Sequence, residues 1–213
     1  MVEGRFSGFL RAFPREEDSS ASVDGALLAK SVKREFAVEV PQALVSFWDE
    51  VGVGAFGRGE LFFFGDDDTA EYRDSLSAWN KHELWGELLP APADGGPFFF
   101  AETCFGMQVG FRYDAGRPFG YLLDIDTMRA FTIGESLEVV FSEVLVARDA
   151  FTDLDLLKRV EAKLGLLPKG MHYAPIVSPL IGGTLTVDNY HLETPNVHLR
   201  TSAATFVALH EGS

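Results

Sequence analysis

The spacing of apolar residues changes along the chain, and each change predicts an element. Phe6, Phe9, Leu10 and Phe13 recur at helical spacing and stop before Pro14, which predicts a short opening helix. Residues 15–22 are polar and read as a loop. Asp24 is placed to cap a helix running to about Glu35, with Leu27, Leu28 and Val32 turned inward. Pro41 suits the first position of the next helix, where its missing N–H has no partner to lose. Leu44, Val45, Trp48 and Val51 form that helix's apolar face, and Gly52 ends it. Gly54, Gly57 and Gly59 punctuate a loop, and the run from Leu61 to Phe64 is a buried strand. Tyr72, Leu76 and Trp79 give the stripe of a helix over residues 70–85. Asp66, Asp67 and Asp68 lie at its start, where carboxylates complement the free N–H groups.

The period then falls to two. Phe98, Phe99 and Phe100 read as a buried strand, and Met107, Val109, Phe111 and Tyr113 alternate with Gln108, Gly110 and Arg112 as a half-buried one. Residues 114–118 are turn chemistry, 121–125 return, and 129–133 add a further strand. Leu137, Val140, Phe141, Val144 and Leu145 restore helical spacing. Residues 152–164 form a helix with Leu156, Leu157, Val160 and Leu164 inward, Thr152 and Asp155 approximating a capping box, and Gly165 closing it. Residues 173–184 read as packed but irregular. Thr194 and Pro195 start a last helix to about Leu209. The pattern predicts one compact α+β unit, with a central antiparallel sheet and helices packed around it.

Charge narrows the partners. Net charge is −14 over 213 residues, which disfavours nucleic acid as a direct ligand, because phosphate binding is driven by Lys and Arg. Residues 60–150 hold 17 Asp/Glu against 6 Lys/Arg, so the middle of the chain is expected to carry most of the negative field. No segment reaches the roughly 18 apolar residues of a membrane helix. Arg5 and Arg11 interrupt what would be a leader, and Cys104 is alone, both of which suit a cytoplasmic protein.

The candidate chemistry is sparse. Asp66–Asp68 lack the spacing of a calcium loop. His191, Glu193 and His198 lack the spacing that sets two imidazoles on one helical face, so neither a metal nor another cofactor is expected. Cys104, in an apolar block, reads as an inert buried thiol, with a hydrolase using it or the late histidines as the rival. The glycines at 52, 54 and 57 match a dinucleotide fingerprint only formally, since here a helix precedes and a strand follows. Trp48, Trp79 and Trp85 read as core anchors.

Three stretches carry a resemblance. LVSFWDEVGVGAFGRGELFFF (residues 44–64), TCFGMQVGFR (103–112) and KLGLLPKGMHYAPIVSPLIGGTL (163–185) resemble segments of GAD-like domain proteins joined to a C-terminal type VI secretion immunity domain. A looser similarity runs to the SUKH superfamily of immunity proteins. The resemblance implies a SUKH-like α+β fold, with residues 1–150 as a GAD-like part and 151–213 as an immunity-type part. It further implies a non-catalytic cytoplasmic protein that binds and neutralises a bacterial toxin, often a nuclease effector of a type VI or polymorphic toxin system. A regulatory or scaffold role of SUKH type is the alternative. An antidote to a nuclease meets a basic surface, so carboxylates are the expected contacts. Asp66, Asp67, Asp68, Glu71 and Asp74 are the densest set, which Glu83, Glu87 and Asp94 would widen.

Overall fold

The computed structural model describes residues 4–66, 73–86, 88–148 and 152–211. Its centre is a seven-stranded antiparallel meander: β1 (Arg15–Ala21), β2 (Val53–Phe56), β3 (Leu61–Phe63), β4 (Phe98–Thr103), β5 (Gln108–Asp114), β6 (Arg117–Asp124) and β7 (Arg129–Gly134), each paired with its neighbour in sequence. The helices are α1 (Ser7–Ala12), α2 (Gly25–Phe36), α3 (Gln42–Glu50), α4 (Leu76–Trp79), α5 (His82–Trp85), α6 (Leu137–Val139), α7 (Leu145–Ala147), α8 (Leu154–Leu164) and α9 (Pro195–Glu211), with a π turn, Val140–Val144, joining α6 to α7. A second, two-stranded sheet pairs β8 (His172–Pro175) with β9 (Tyr190–Glu193). Among the described residues no helix is long and apolar enough to cross a membrane.

The sheet is covered on both faces. On one, Phe47 of α3 stacks on Phe63 (4.6 Å) and on Phe141 of the π turn (4.4 Å) and meets Phe9 of α1 edge-on (4.9 Å). On the other, Phe64 stacks on Trp79 (5.4 Å) and Phe99 lies against Trp85 (4.7 Å). This is why β4 is buried along its whole length and reads as a continuous apolar run. A register shift between Phe99 and Ala101 turns the strand there. Beyond it Glu102 is the direct cross-strand neighbour of both Phe62 and Gln108, so all three share the α4–α5 face.

Several sequence expectations need correction. Residues 15–22 contain an edge strand, not a loop. An edge strand pairs its backbone on one side only, so it needs no apolar alternation. The Gly54 segment likewise lies in β2, and only residues 57–60 turn. Leu27 is 62% exposed, while Leu28 and Val32 are buried. Pro41 is the cap and Gln42 the first helical residue. Gly52 does end this helix, with φ +89°, and a Cβ there would sit 2.3 Å from Ala21 O, so only glycine lets β1 close on the junction.

The helix expected over 70–85 starts instead at Leu76, because Ser75 is extended and caps Ala78 N, and it breaks before α5. The strand at 108–114 is buried on both faces over its first four residues and alternates only afterwards. Asp153, not Thr152, caps α8, accepting from the amides of Asp155 and Leu156. Residues 172–175 form β8, within a stretch that composition marked as irregular.

The last third of the chain builds its own small core. Leu156, Leu157 and Val160 of α8 pack with Tyr173, Tyr190, Cys104 and Phe105, the last two from the β4–β5 turn. Tyr173 N donates to Cys104 O (2.9 Å), which hooks β8 onto that turn.

Candidate functional site

Asp66 and Asp74 are both exposed. Leu76 N donates to Gly65 O (2.7 Å), and α4 begins at Leu76, beyond Asp74. Asp66 lines an open groove of about 430 Å³ with Asp24, Leu27, Leu28 and Ser31 of the α2 region. Asp74 accepts a long hydrogen bond from Asn196 Nδ2 (3.4 Å) at the start of α9. Asp67, Asp68, Glu71 and Glu87 lie outside the described residues. Glu83 and Asp94 are exposed on the α5 side of the sheet.

Part of the middle segment's acidity lies inside the protein. Glu102 is fully buried and ion-paired with Arg73, whose side chain is only 5% exposed. Asp126 is also buried. Between them runs a chain of hydrogen bonds that composition did not reveal. Arg73 Nη1 reaches both Glu102 Oε1 and His172 Nε2 (2.9 Å), and Arg73 Nη2 donates to Met171 O (2.8 Å). His172 Nδ1 lies 3.2 Å from His198 Nδ1, and His198 Nε2 lies 2.7 Å from Asp126 Oδ1.

Directionality assigns the protons. A guanidinium only donates, so His172 Nε2 accepts and its proton sits on Nδ1. His198 Nδ1 then accepts, and its Nε2 proton goes to Asp126. On the far side Gln108 Nε2 donates to Glu102 Oε2 (3.1 Å), and Trp79 Nε1 donates to Gln108 Oε1 (2.6 Å). The network ties α4, β4, β5, the β6–β7 turn, β8 and α9 together. Gly106, at φ +83°, makes room for it: a Cβ there would lie 2.9 Å from the His198 ring. The sequence signal was a glutamate closing an all-buried strand, since such a charge requires a buried partner.

Burial, then Arg73 and His198, hold the His172 imidazole well below its ordinary 6.5. Desolvation pulls Arg73 down to about 9, so it stays cationic beside its carboxylate at neutral pH. His172 is therefore neutral in the folded state. Below pH 6.5 the unfolded chain binds a proton there that the folded chain refuses. Stability contributed by this group is present above 6.5 and lost as pH falls below it, by up to about 1.4 kcal/mol per pH unit. Urea unfolding between pH 7.5 and pH 5 (about neutral to mildly acidic) should show a steeper loss for the parent than for His172→Gln. Identical slopes would refute the assignment.

A second polar cluster joins the β2–β3 turn to the last third. Arg148 is paired with Glu60, and Arg58 with Glu161 (3.1 Å), lining an open cleft of about 400 Å³ with Leu157 and Lys158. Burial raises the Glu60 carboxyl, opposed by Arg148. The two ion pairs brace the β2–β3 turn against Arg148 and α8, although Glu60 Oε2 and Arg148 Nε are buried there without a hydrogen-bond partner.

Cys104 is buried, and desolvation pushes its thiol far up, so it stays protonated and out of contact with solvent. His191 stands on β9 opposite Ala174, while His198 turns inward to Asp126. Among the described residues no three His, Cys, Asp or Glu side chains are placed to hold a metal. Trp48, Trp79 and Trp85 are buried core residues.

No family model matches the chain, and no curated protein does. The fold does have a relative among solved structures. The crystal structure of Atu4351 from Agrobacterium tumefaciens superposes with a TM-score of 0.64 at 18% identity, over 93% of this chain and 88% of that one. At that identity the likeness establishes the shared α+β architecture alone.

Proposed function

We propose that the protein is a non-catalytic, cytoplasmic immunity protein of the GAD-like and SUKH-like kind, which neutralises a toxin by covering a basic surface on it. The observation that carries this is the concentration of carboxylates between β3 and α4. Five carboxylates, Asp66, Asp67, Asp68, Glu71 and Asp74, fall within residues 66–75, whose two ends are held together at Gly65 and Leu76. Such a concentration raises the local potential and steers a cationic partner. The resemblance of residues 44–64, 103–112 and 163–185 supports the same reading. So does the way the protein uses its own cations: Arg73 and Arg148 are drawn onto internal carboxylates, and Arg58, Lys33 and Lys163 onto surface ones.

The test is binding of the neighbouring gene's product across a salt series. Asp66→Lys and Asp74→Lys are both exposed changes that leave the core untouched. Each is expected to slow association by about tenfold at low salt and to flatten the salt dependence. Unchanged association rates in both would remove residues 66–75 as the contact surface.

A further inference from the structure

The buried chain from Arg73 to Asp126 has a direction, and that direction dictates how it responds to acid. Its two ends are set: the Arg73 guanidinium only donates, and the ionised Asp126 carboxylate only accepts. Two neutral imidazoles fit between them in one way, with protons on His172 Nδ1 and His198 Nε2. The Nδ1–Nδ1 contact (3.2 Å) then takes the His172 proton, and the Asp126 contact (2.7 Å) takes the His198 proton.

A further proton has two places to go. On His172 it occupies Nε2 directly. On His198 it occupies Nδ1, which then donates to His172 Nδ1 and leaves the His172 proton on Nε2 instead. Both routes end with a proton on His172 Nε2. That nitrogen lies 2.9 Å from Arg73 Nη1 and 3.3 Å from Glu102 Oε1. Two donors cannot share the first contact, whereas the carboxylate oxygen at the second accepts. The Arg73–His172 hydrogen bond is therefore the one that must break, whichever ring takes the proton.

Arg73 is also the member with an unmet need. Of the five side chains it alone has a buried polar atom, Nε, without a partner. Apart from Glu102 and His172 it holds only Met171 O (2.8 Å) and the face of the Phe62 ring (4.9 Å). The other ionisable groups coupled to the chain sit behind its ends. Asp124 accepts from Asp126 N (2.9 Å) and Thr127 Oγ1 (2.6 Å), and burial raises its carboxyl. Tyr190 of β9 and Cys104 of the β4–β5 turn are kept protonated by burial.

We propose that this chain is a one-proton switch, in which an added proton transfers Glu102 from Arg73 to His172 and releases the segment carrying Arg73 from β8, independently of what residues 66–75 bind. Two measurements on the full chain, from about pH 7.5 to about pH 4.5, test it. Nuclear magnetic resonance of ¹⁵N-labelled imidazoles should find His172 Nε2 bare at neutral pH and protonated once either ring of the pair becomes charged. Hydrogen exchange over residues 73–80, corrected for its intrinsic pH dependence, should rise at least about tenfold over the same range while β5 and β6 hold steady. His172→Gln, which offers an acceptor and a donor but does not titrate, should abolish that rise. His191→Gln, on β9 outside the chain, should keep it. A proton on His172 Nε2 at neutral pH would overturn the proposal, and the parent alone reads this even if His172→Gln fails to fold. So would exchange at 73–80 that rises only together with β5 and β6, a rise that persists in His172→Gln, or one that His191→Gln removes.

Discussion

Arg73→Met is expected to destabilise the protein by about 3–5 kcal/mol, because it leaves Glu102 as an uncompensated charge in the interior. Both side chains are essentially without solvent, at 5% and 0% exposure, so water cannot replace the lost partner. His172 Nε2 and Met171 O lose their donor in the same step. The double variant Arg73→Met/Glu102→Leu removes both charges. It should be less destabilised than Arg73→Met alone, since replacing a buried ion pair by apolar groups is far milder than breaking it. Equilibrium urea unfolding of the two variants and of Glu102→Leu completes the cycle. Strict additivity, or a loss below about 1 kcal/mol for Arg73→Met, would mean that the pair is not coupled as the geometry indicates.

Phe47→Ala is the second large effect, again about 3–5 kcal/mol. Its ring is fully buried, stacked between Phe63 and Phe141 and edge-on to Phe6 (5.2 Å) and Phe9. Truncation therefore opens a cavity where α1, α3, β3 and the π turn converge, and no single side chain can move in to fill it. Phe47→Leu keeps most of the volume and should lose less than half as much. Phe131→Ala, on the exposed face of β7, should stay within about 0.5 kcal/mol of the parent. If Phe47→Ala were as mild as Phe131→Ala, this aromatic group would not be the centre of the core.

These two sites differ in how far the sequence announced them. Phe47 lies outside the Leu44–Val45–Trp48–Val51 stripe that the sequence displays, yet it is fully buried beside it. Strands with long apolar runs, the Asp114–Arg117 turn and the caps at Asp24 and Gly165 were equally legible, because each depends on residues close in sequence. What escaped depends on distant partners. β1 is polar and is a strand only because β2 offers it an edge. β8 exists because β9, fifteen residues later (Pro175 to Tyr190), lies beside it. The Arg73–Glu102–His172–His198–Asp126 chain draws single residues from five separate segments, so no local spacing could display it. The acidic cluster is legible as composition, but α4 starts beyond it, at Leu76. The Gly65–Leu76 hydrogen bond, between residues eleven apart, has no local sequence signal at all.

The meander also sets an order of events during synthesis. Each strand after β1 pairs with the one made just before it, so the sheet can assemble through near-neighbour contacts as the chain emerges. His172, Tyr173 and His198 are made after all seven strands. Until they arrive, the β4–β5 turn lacks the backbone donor that Tyr173 supplies to Cys104, and the end of β4 carrying Glu102 is open to water. The β8, β9 and α9 segment therefore acts as a late-arriving latch, and a nascent chain halted before it would hold a formed sheet with its most polar interior still hydrated.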